Sequence, residues 1–327
     1  MPENKPGSLG YQMMKALQAL FEPGASRHVA KGHGRDREVI SSISTMRSMS
    51  ADVHQFARFI RGNWPAVKTL DQVQPEHAQA YIEELVRRER TGGRIGRVCA
   101  SLRKLDLACR KLGIFTPAAP PLLPYRSEGG QGGFHSEPRA LAYTQDQAQA
   151  IIRHIRPVDP IVARLLMLMT AAGLRVTEAC YLRAQDIDLA AGQILLNADG
   201  NENRTKGGRP RQVSFLPEMQ PFLSELRTLG DTSATGHIFH DRRSLADRAR
   251  EQVRLACAAL TIPCLGTHGF RKTYATEIYH RNRSQGAGDA QALLETSRQL
   301  GHNRAVVTRQ SYVSPTERKK EDGMDQR

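Results

Sequence analysis

The chain of 327 residues carries 47 Lys and Arg against 33 Asp and Glu, a formal net charge of +14, and at about 150 residues per domain its length predicts two domains. That imbalance favours a polyanionic partner over an acidic metabolite, with nucleic acid ahead of an anionic membrane surface. Five cysteines without a Cys-x-x-Cys pair exclude a disulfide scaffold and weigh against a structural zinc site. The longest apolar stretch, Ile161 to Leu174, is broken by Arg164 and falls short of the ~20 residues that span a bilayer, so it reads as a buried helix. With no secretory signal near Lys5 and Lys15, the expected location is the cytoplasm, at the nucleoid.

In chain order, residues 1–40 read as a basic arm with one short helix at most, because Met13, Met14, Leu17, Leu20 and Phe21 form only short apolar groups among glycines. Residues 41–113 read as a helical domain. Met46, Met49, Val53, Phe56 and Ile60 recur at helical spacing. A second helix starts near Pro75, a favourable first-turn residue, with Ala78, Ile82 and Leu85 inward. A third bears the stripe Ile95, Val98, Leu102, Leu105, Cys109 and Leu112. Arg94, Arg97, Lys104 and Lys111 flank that stripe on one side, Arg103 and Arg110 on the other. From Val86 to Leu112 nine basic residues meet two acidic ones, half of the net charge in 27 residues. A solvated face is the bland explanation for such a run, but the excess is too one-sided for ion pairing to absorb. These six side chains are therefore candidate DNA-backbone contacts.

Residues 114–142, with Pro117, Pro120, Pro121 and Pro124 and the glycines of Glu128 to Gly133, read as a linker. The second domain, 143–315, opens with a helix capped by Thr144, with Gln147 at the capping-box position. Gln193–Asn197 and Arg211–Phe215 predict two strands joined as a hairpin or small sheet. Asp186 and Asp188 read as surface residues entering a strand. After Pro217 the pattern is helical, broken at Gly230, Pro263, Gly286 and Gly301, and a charged tail, 316–327, follows. The expected fold is mainly α, with a small antiparallel sheet in an α+β second domain.

Five sites in that domain suit chemistry on a phosphodiester: Gly173-Leu-Arg-Val-Thr-Glu178, Thr205-Lys-Gly207, Thr267-His-Gly-Phe-Arg271, Leu300-Gly-His302 and Tyr312. Each is weak alone; His-x-x-Arg occurs three times in the chain. The pair His268 and Arg271 is preferred because a Pro263/Gly266 loop precedes it and Thr267 is a plausible N-cap, and a helix N-terminus favours an anion. In order and spacing the five sites resemble the catalytic domain of the tyrosine recombinases, the phage integrase and Xer-type family, over about residues 143–315. The first domain is similar, by character and position, to that family's SAM-like core-binding domain. Ten positions separate His302 from Tyr312, one more than in the commonest family pattern.

The residue types carry the same chemistry. Planar Arg forks stabilise charge on the non-bridging oxygens of a transferring phosphoryl group, which assigns Arg175 and Arg271. Glu178, one turn beyond Arg175, orients it or forms a plain salt bridge with it. Tyr312 is the candidate nucleophile. Tyr274 and Tyr279 are nearest in position but precede Leu-Gly-His. Phenols titrate near 10, so a base is needed, and His268 is the candidate. His302 is assigned to a non-bridging oxygen. Lys206 either protonates the leaving 5′ oxygen or is one more phosphate contact among Arg204, Arg209 and Arg211.

The resemblance implies a site-specific recombinase that closes a C-shaped clamp on duplex DNA. It would cut and rejoin core sites through a 3′-phosphotyrosyl intermediate, as a homotetramer, with a directionality or accessory DNA-bending protein as a possible partner and no membrane. The basic arm favours integration or excision of a mobile element over chromosome-dimer resolution. Without a Gly-x-x-x-x-Gly-Lys-Ser/Thr loop or a third carboxylate beside Asp186 and Asp188, neither ATP nor a metal nor another cofactor is implied. The rival readings are a catalytically retired DNA-binding accessory protein and a type IB topoisomerase.

Overall fold

The computed structural model describes residues 7–25, 27–34, 38–124, 141–196, 210–301, 308, 309 and 312. The chain divides into two compact units, Met1–Glu137 and Pro138–Arg327.

The first unit is helical: α1 (Leu9–Gln18), α2 (Arg27–Gly32), α3 (Ile43–Asn63), α4 (Pro75–Arg87) and α5 (Gly92–Lys111). The Ser42 hydroxyl caps α3 by accepting the Thr45 N–H at 3.0 Å, and the expected face of Met46, Val53, Phe56 and Ile60 is buried. On α5 the stripe from Ile95 to Cys109 faces the core, whereas Leu112, the C-cap residue, is half exposed. Leu9–Gln18 is no loose arm. Leu9, Met13, Ala16 and Leu17 fill the groove between α3 and α5. The chain returns beside the end of α1 through an isolated bridge of Phe21 and Ile40, in which the Ile40 N–H is donated to the Leu20 carbonyl at 2.7 Å. At the other end Phe115, Leu122 and Leu123 join the same core. This unit therefore draws on residues beyond both edges of the 41–113 segment. The Gly-rich part of the expected linker lies outside the described residues.

The second unit contains α6 (Gln145–Ile155), α7 (Pro160–Ala172), α8 (Val176–Cys180), β1 (Ile187–Asp188), β2 (Gln193–Leu196), β3 (Arg211–Ser214), α9 (Gln220–Asp231), α10 (Arg242–Ala259), α11 (Thr267–Ser284) and α12 (Asp289–Gln299). Thr144 and Gln147 form the expected capping box: each side chain accepts the other's backbone N–H at 3.1 Å. α7, apolar nearly all round, is the buried centre on which α6, α8, α10 and α11 pack. The sheet is antiparallel in the order β1-β2-β3, with Ile194 opposite Val213 and Leu196 opposite Arg211. Strand β1 is too short to leave a period-two pattern. Asp186 departs from the surface position expected of it. It is buried, and its carboxylate accepts the Arg183 N–H at 2.9 Å, which caps the start of the short turn Ala184–Asp186 that leads into β1. Among the described residues no helix is long and apolar enough to cross a membrane.

Candidate active site

The site is built where α7 ends, α11 begins and α12 ends. Gly173 terminates α7 in the left-handed region at φ 59°. A Cβ there would stand 2.2 Å from the Tyr274 ring, so only glycine fits. The turn buries Leu174 and delivers Arg175 to the start of α8. Glu178 then reaches back: one oxygen accepts the Arg175 backbone N–H at 2.7 Å, and the other accepts its Nη1 at 2.6 Å. The orienting and salt-bridge roles foreseen for Glu178 are one arrangement.

Glu178 is fully buried and serves three guanidinium groups. Besides Arg175, Arg211 donates Nη2 to Oε2 at 2.6 Å, and Arg271 Nη1 lies 3.8 Å from that oxygen. Burial pushes the Glu178 carboxyl up, but Arg211, Arg271 and Arg175 together outweigh it and hold the group below the usual carboxylate range. Arg271 is also fully buried. Its Nη1 donates to the Gly173 carbonyl and its Nη2 to the Leu300 carbonyl at 2.5 Å. Burial, then the neighbouring Arg211, bring Arg271 down to about 10, so it stays charged at neutral pH. Its Nε has no partner among the described residues. Three cations against one carboxylate leave a buried positive excess, which is what an oxyanion needs.

The first turn of α11 projects His268 and Arg271. Thr267 is the first helical residue rather than the cap; Gly266 takes that position at φ 65°. His268 Nε2 is 2.7 Å from the Tyr312 hydroxyl, with the rings edge-on. Burial, then Arg271, Lys272 and Arg175, lower the His268 pKa to about 4, so at neutral pH the imidazole is uncharged and able to accept a proton. Tyr312 is buried, and its ring lies 6.0 Å from the Arg271 guanidinium carbon and 5.8 Å from Lys272 Nζ. The two nearest tyrosines have other duties: Tyr274 donates to the Ser214 carbonyl at 2.5 Å, and Tyr279 bonds Asp289 at 2.8 Å.

Thus Arg175, Glu178, His268, Arg271 and Tyr312 converge, while Lys206 and His302 lie outside the described residues. Sequence reasoning missed Lys272 and Arg211. The first stands one helical turn beyond His268, a spacing that could have flagged it. The second was hidden in a hairpin crowded with bases.

In the first unit the structure separates the six basic side chains of α5. Arg94 pairs with Asp52 and Gln55. Arg110 bonds Asp106 and the carbonyls of Thr116 and Ala119. Arg103, Lys104 and Lys111 donate to the carbonyls of Pro124, Val39 and Ala19. Arg97 is exposed at a groove of about 870 Å³ shared with Arg58, Arg88 and Arg90 and floored by Phe59 and Tyr81.

Residues 142–318 match the phage integrase family. The chain is 29% identical to the tyrosine recombinase XerC of Mycobacterium tuberculosis (strain ATCC 25177 / H37Ra) over 163 residues, 47% of this chain, and spans about half (51%) of that relative's length. It is 24% identical to the XerC of Pelobacter propionicus, covering 83% of this chain and 85% of that one. Among solved structures its fold is similar to that of XerH recombinase bound to a palindromic difH substrate, at a TM-score of 0.62 and 13% identity over 97% of this chain and 94% of that one. It is also similar to a lambda integrase dimer bound to a core site, at a TM-score of 0.57 and 12% identity, covering 91% and 75%.

Proposed function

Because the chain belongs to the phage integrase family of tyrosine recombinases, we propose that it is a site-specific DNA strand transferase in which Tyr312 is the nucleophile. The observation that carries this reading is the 2.7 Å bond between the Tyr312 hydroxyl and an uncharged His268, set beside Arg175 and Arg271. Tyr312 Oη attacks the scissile phosphorus as its proton passes to His268. The bond from phosphorus to the 5′ oxygen breaks, leaving a 3′-phosphotyrosyl link and a 5′ hydroxyl. Lys206 is the proposed donor of that hydroxyl's proton, and His302 the proposed partner of a non-bridging oxygen. The reverse attack by a 5′ hydroxyl rejoins the strand, so the bond energy is conserved.

The electrostatics favour this sequence. After burial, the causes that lower the His268 pKa are the cations Arg271, Lys272 and Arg175. A phosphate that lodges against those cations cancels part of their field and returns basicity to His268 when the base is needed. Arg175, a quarter of whose side chain is exposed, is the accessible prong of the clamp and Arg271 the buried one.

For the first unit we place the DNA-backbone surface on the groove of Arg58, Arg88, Arg90 and Arg97, because all four are exposed there, Arg88 in a surface pair with Glu84 at 2.5 Å, whereas most other α5 bases bond carbonyls of the unit. Assembly as a tetramer on two core sites, in the cytoplasm, belongs to the same proposal. The argument for a mobile element from a separate basic arm loses force once α1 is part of the core. Direct repeats in DNA flanking the gene would restore it. The reading is tested with Tyr312→Phe on a nicked duplex carrying such a flanking site. The variant should bind as tightly as the parent and form no covalent adduct on a denaturing gel. An adduct that persists would move the nucleophile elsewhere.

A further inference from the structure

Arg211 lies at the foot of β3, opposite Leu196, and its side chain is nearly buried. Its fork bridges two parts of the site. Nη2 donates to Glu178 Oε2 at 2.6 Å, and Nη1 donates to the Gln299 carbonyl at 3.0 Å, at the end of α12. Its stem packs on the backbone of Gly301, where a Cβ would meet Arg211 Cδ at 2.7 Å. Two further bonds stitch α12 to β3: Gln299 Oε1 accepts the Ser214 N–H at 2.8 Å, and Gln299 Nε2 lies 3.3 Å from the Ser214 hydroxyl. Arg211 thereby braces the turn whose Leu300 carbonyl holds Arg271.

The oxygen that Arg211 occupies is the one Arg271 approaches only to 3.8 Å. In a buried setting a carboxylate is a stronger acceptor than a carbonyl. Without Arg211 that oxygen would keep only the Arg175 backbone N–H, at 2.7 Å, and its freed lone pair would draw Arg271 onto Glu178 and off the Gly173 and Leu300 carbonyls that aim it. Its charge would then be neutralised inside the protein rather than available to a ligand.

We propose that Arg211 is a positioning residue that keeps Glu178 Oε2 from capturing Arg271, so that both clamp arginines remain poised for the scissile phosphate. The proposal rests on the recombinase reading for its substrate, but the competition for one oxygen is a property of the protein alone.

The test is whether removing the competitor's target rescues removal of Arg211. Arg211→Met should slow covalent-adduct formation about 10²-fold, the scale of one lost transition-state donor, with DNA affinity unchanged within about two-fold. Adding Glu178→Gln, which keeps an oxygen for Arg175 but no charge to capture Arg271, should recover at least about ten-fold. On DNA with a neutral methylphosphonate at the cut site the Arg211→Met defect should shrink, because no anionic charge then calls on the clamp. A double variant no faster than Arg211→Met, or equal defects on both substrates, would reduce Arg211 to a structural part and overturn the proposal. Arg211→Lys, which keeps the charge but not the fork, serves if Arg211→Met does not fold. It should fall between parent and Met and should also gain from Glu178→Gln.

Titration with inorganic phosphate separates the two claims. Arg211→Met should bind it at least about ten-fold more weakly than the parent, with recovery in the double variant. If that pattern holds while the parent forms no adduct with any flanking DNA, the recombinase reading fails and the positioning role stands.

Discussion

The two units hold their positive charge in opposite ways. In the second, Arg175, Arg211 and Arg271 are gathered around one buried carboxylate, and Arg211 and Arg271 are also aimed by backbone carbonyls, so the charge of those two is fixed in direction and poorly screened by water. In the first, the larger concentration of bases divides. Five α5 side chains are turned onto carbonyls or carboxylates of their own unit, and Arg97 joins Arg58, Arg88 and Arg90 at an open groove. Charge density along a sequence thus says little about availability: the densest helix mostly bonds its own unit, and the sparser bases of the second unit gather around Glu178.

The contrast breaks most visibly at Arg271. Arg271→Ala removes a clamp charge and leaves the Gly173 and Leu300 carbonyls without their donor, at about 1–3 kcal/mol each. Adduct formation should fall by at least about 10²–10³-fold, and the denaturant midpoint should drop as well. A variant with unchanged stability would mean that those carbonyls find water readily and the site is less dry than described. No α5 substitution should combine both losses.

His268 sharpens the comparison through pH. Its folded pKa of about 4 lies below the ordinary imidazole value of 6.5, so the unfolded chain binds more protons between those values. The associated stability is complete above about 6.5 and is lost as pH falls through about 4. Adduct formation should therefore be insensitive to this group from pH 6.5 to 8 and decline in acid. His268→Gln, which cannot take the proton, should be slower by about 10²–10⁴-fold at pH 7. At sub-saturating DNA, where the profile reports the unbound protein, a rate that climbs through pH 6.5 in the parent would show that the base is not His268 in this environment.

How far these features were legible follows from their range. The helices of both units could be read because apolar spacing is local, and Thr144 with Gln147 spells its cap within four residues. His268, Arg271 and Tyr312 were found by order along the chain, and the structure brings them together. Arg211 could not be distinguished from Arg204 or Arg209, because its partners Glu178 and Gln299 are 33 and 88 positions away. The fate of Lys104 and Lys111 was equally hidden, since the carbonyls they reach belong to Val39 and Ala19. α1 did show apolar residues at helical spacing, but flanking glycines drew attention from them.

The smallest expected effects decide which face of the first unit meets DNA. Arg58, Arg88, Arg90 and Arg97 changed together to Ala should weaken binding to all sequences alike and flatten the salt dependence by up to about 3.6 units, near 0.9 for each lost phosphate contact. Arg103, Lys104 and Lys111 changed together to Ala should leave that slope unmoved, because their ammonium and guanidinium groups already bond the Pro124, Val39 and Ala19 carbonyls. Their loss should appear as stability, about 1 kcal/mol for each exposed or half-exposed bond removed, in a denaturant titration without DNA. If the second set flattens the slope and the first does not, the α5 stripe is the phosphate contact after all. Its side chains would then have to exchange carbonyls for phosphates on binding, and the division of charge drawn between the two faces would describe only the unbound protein.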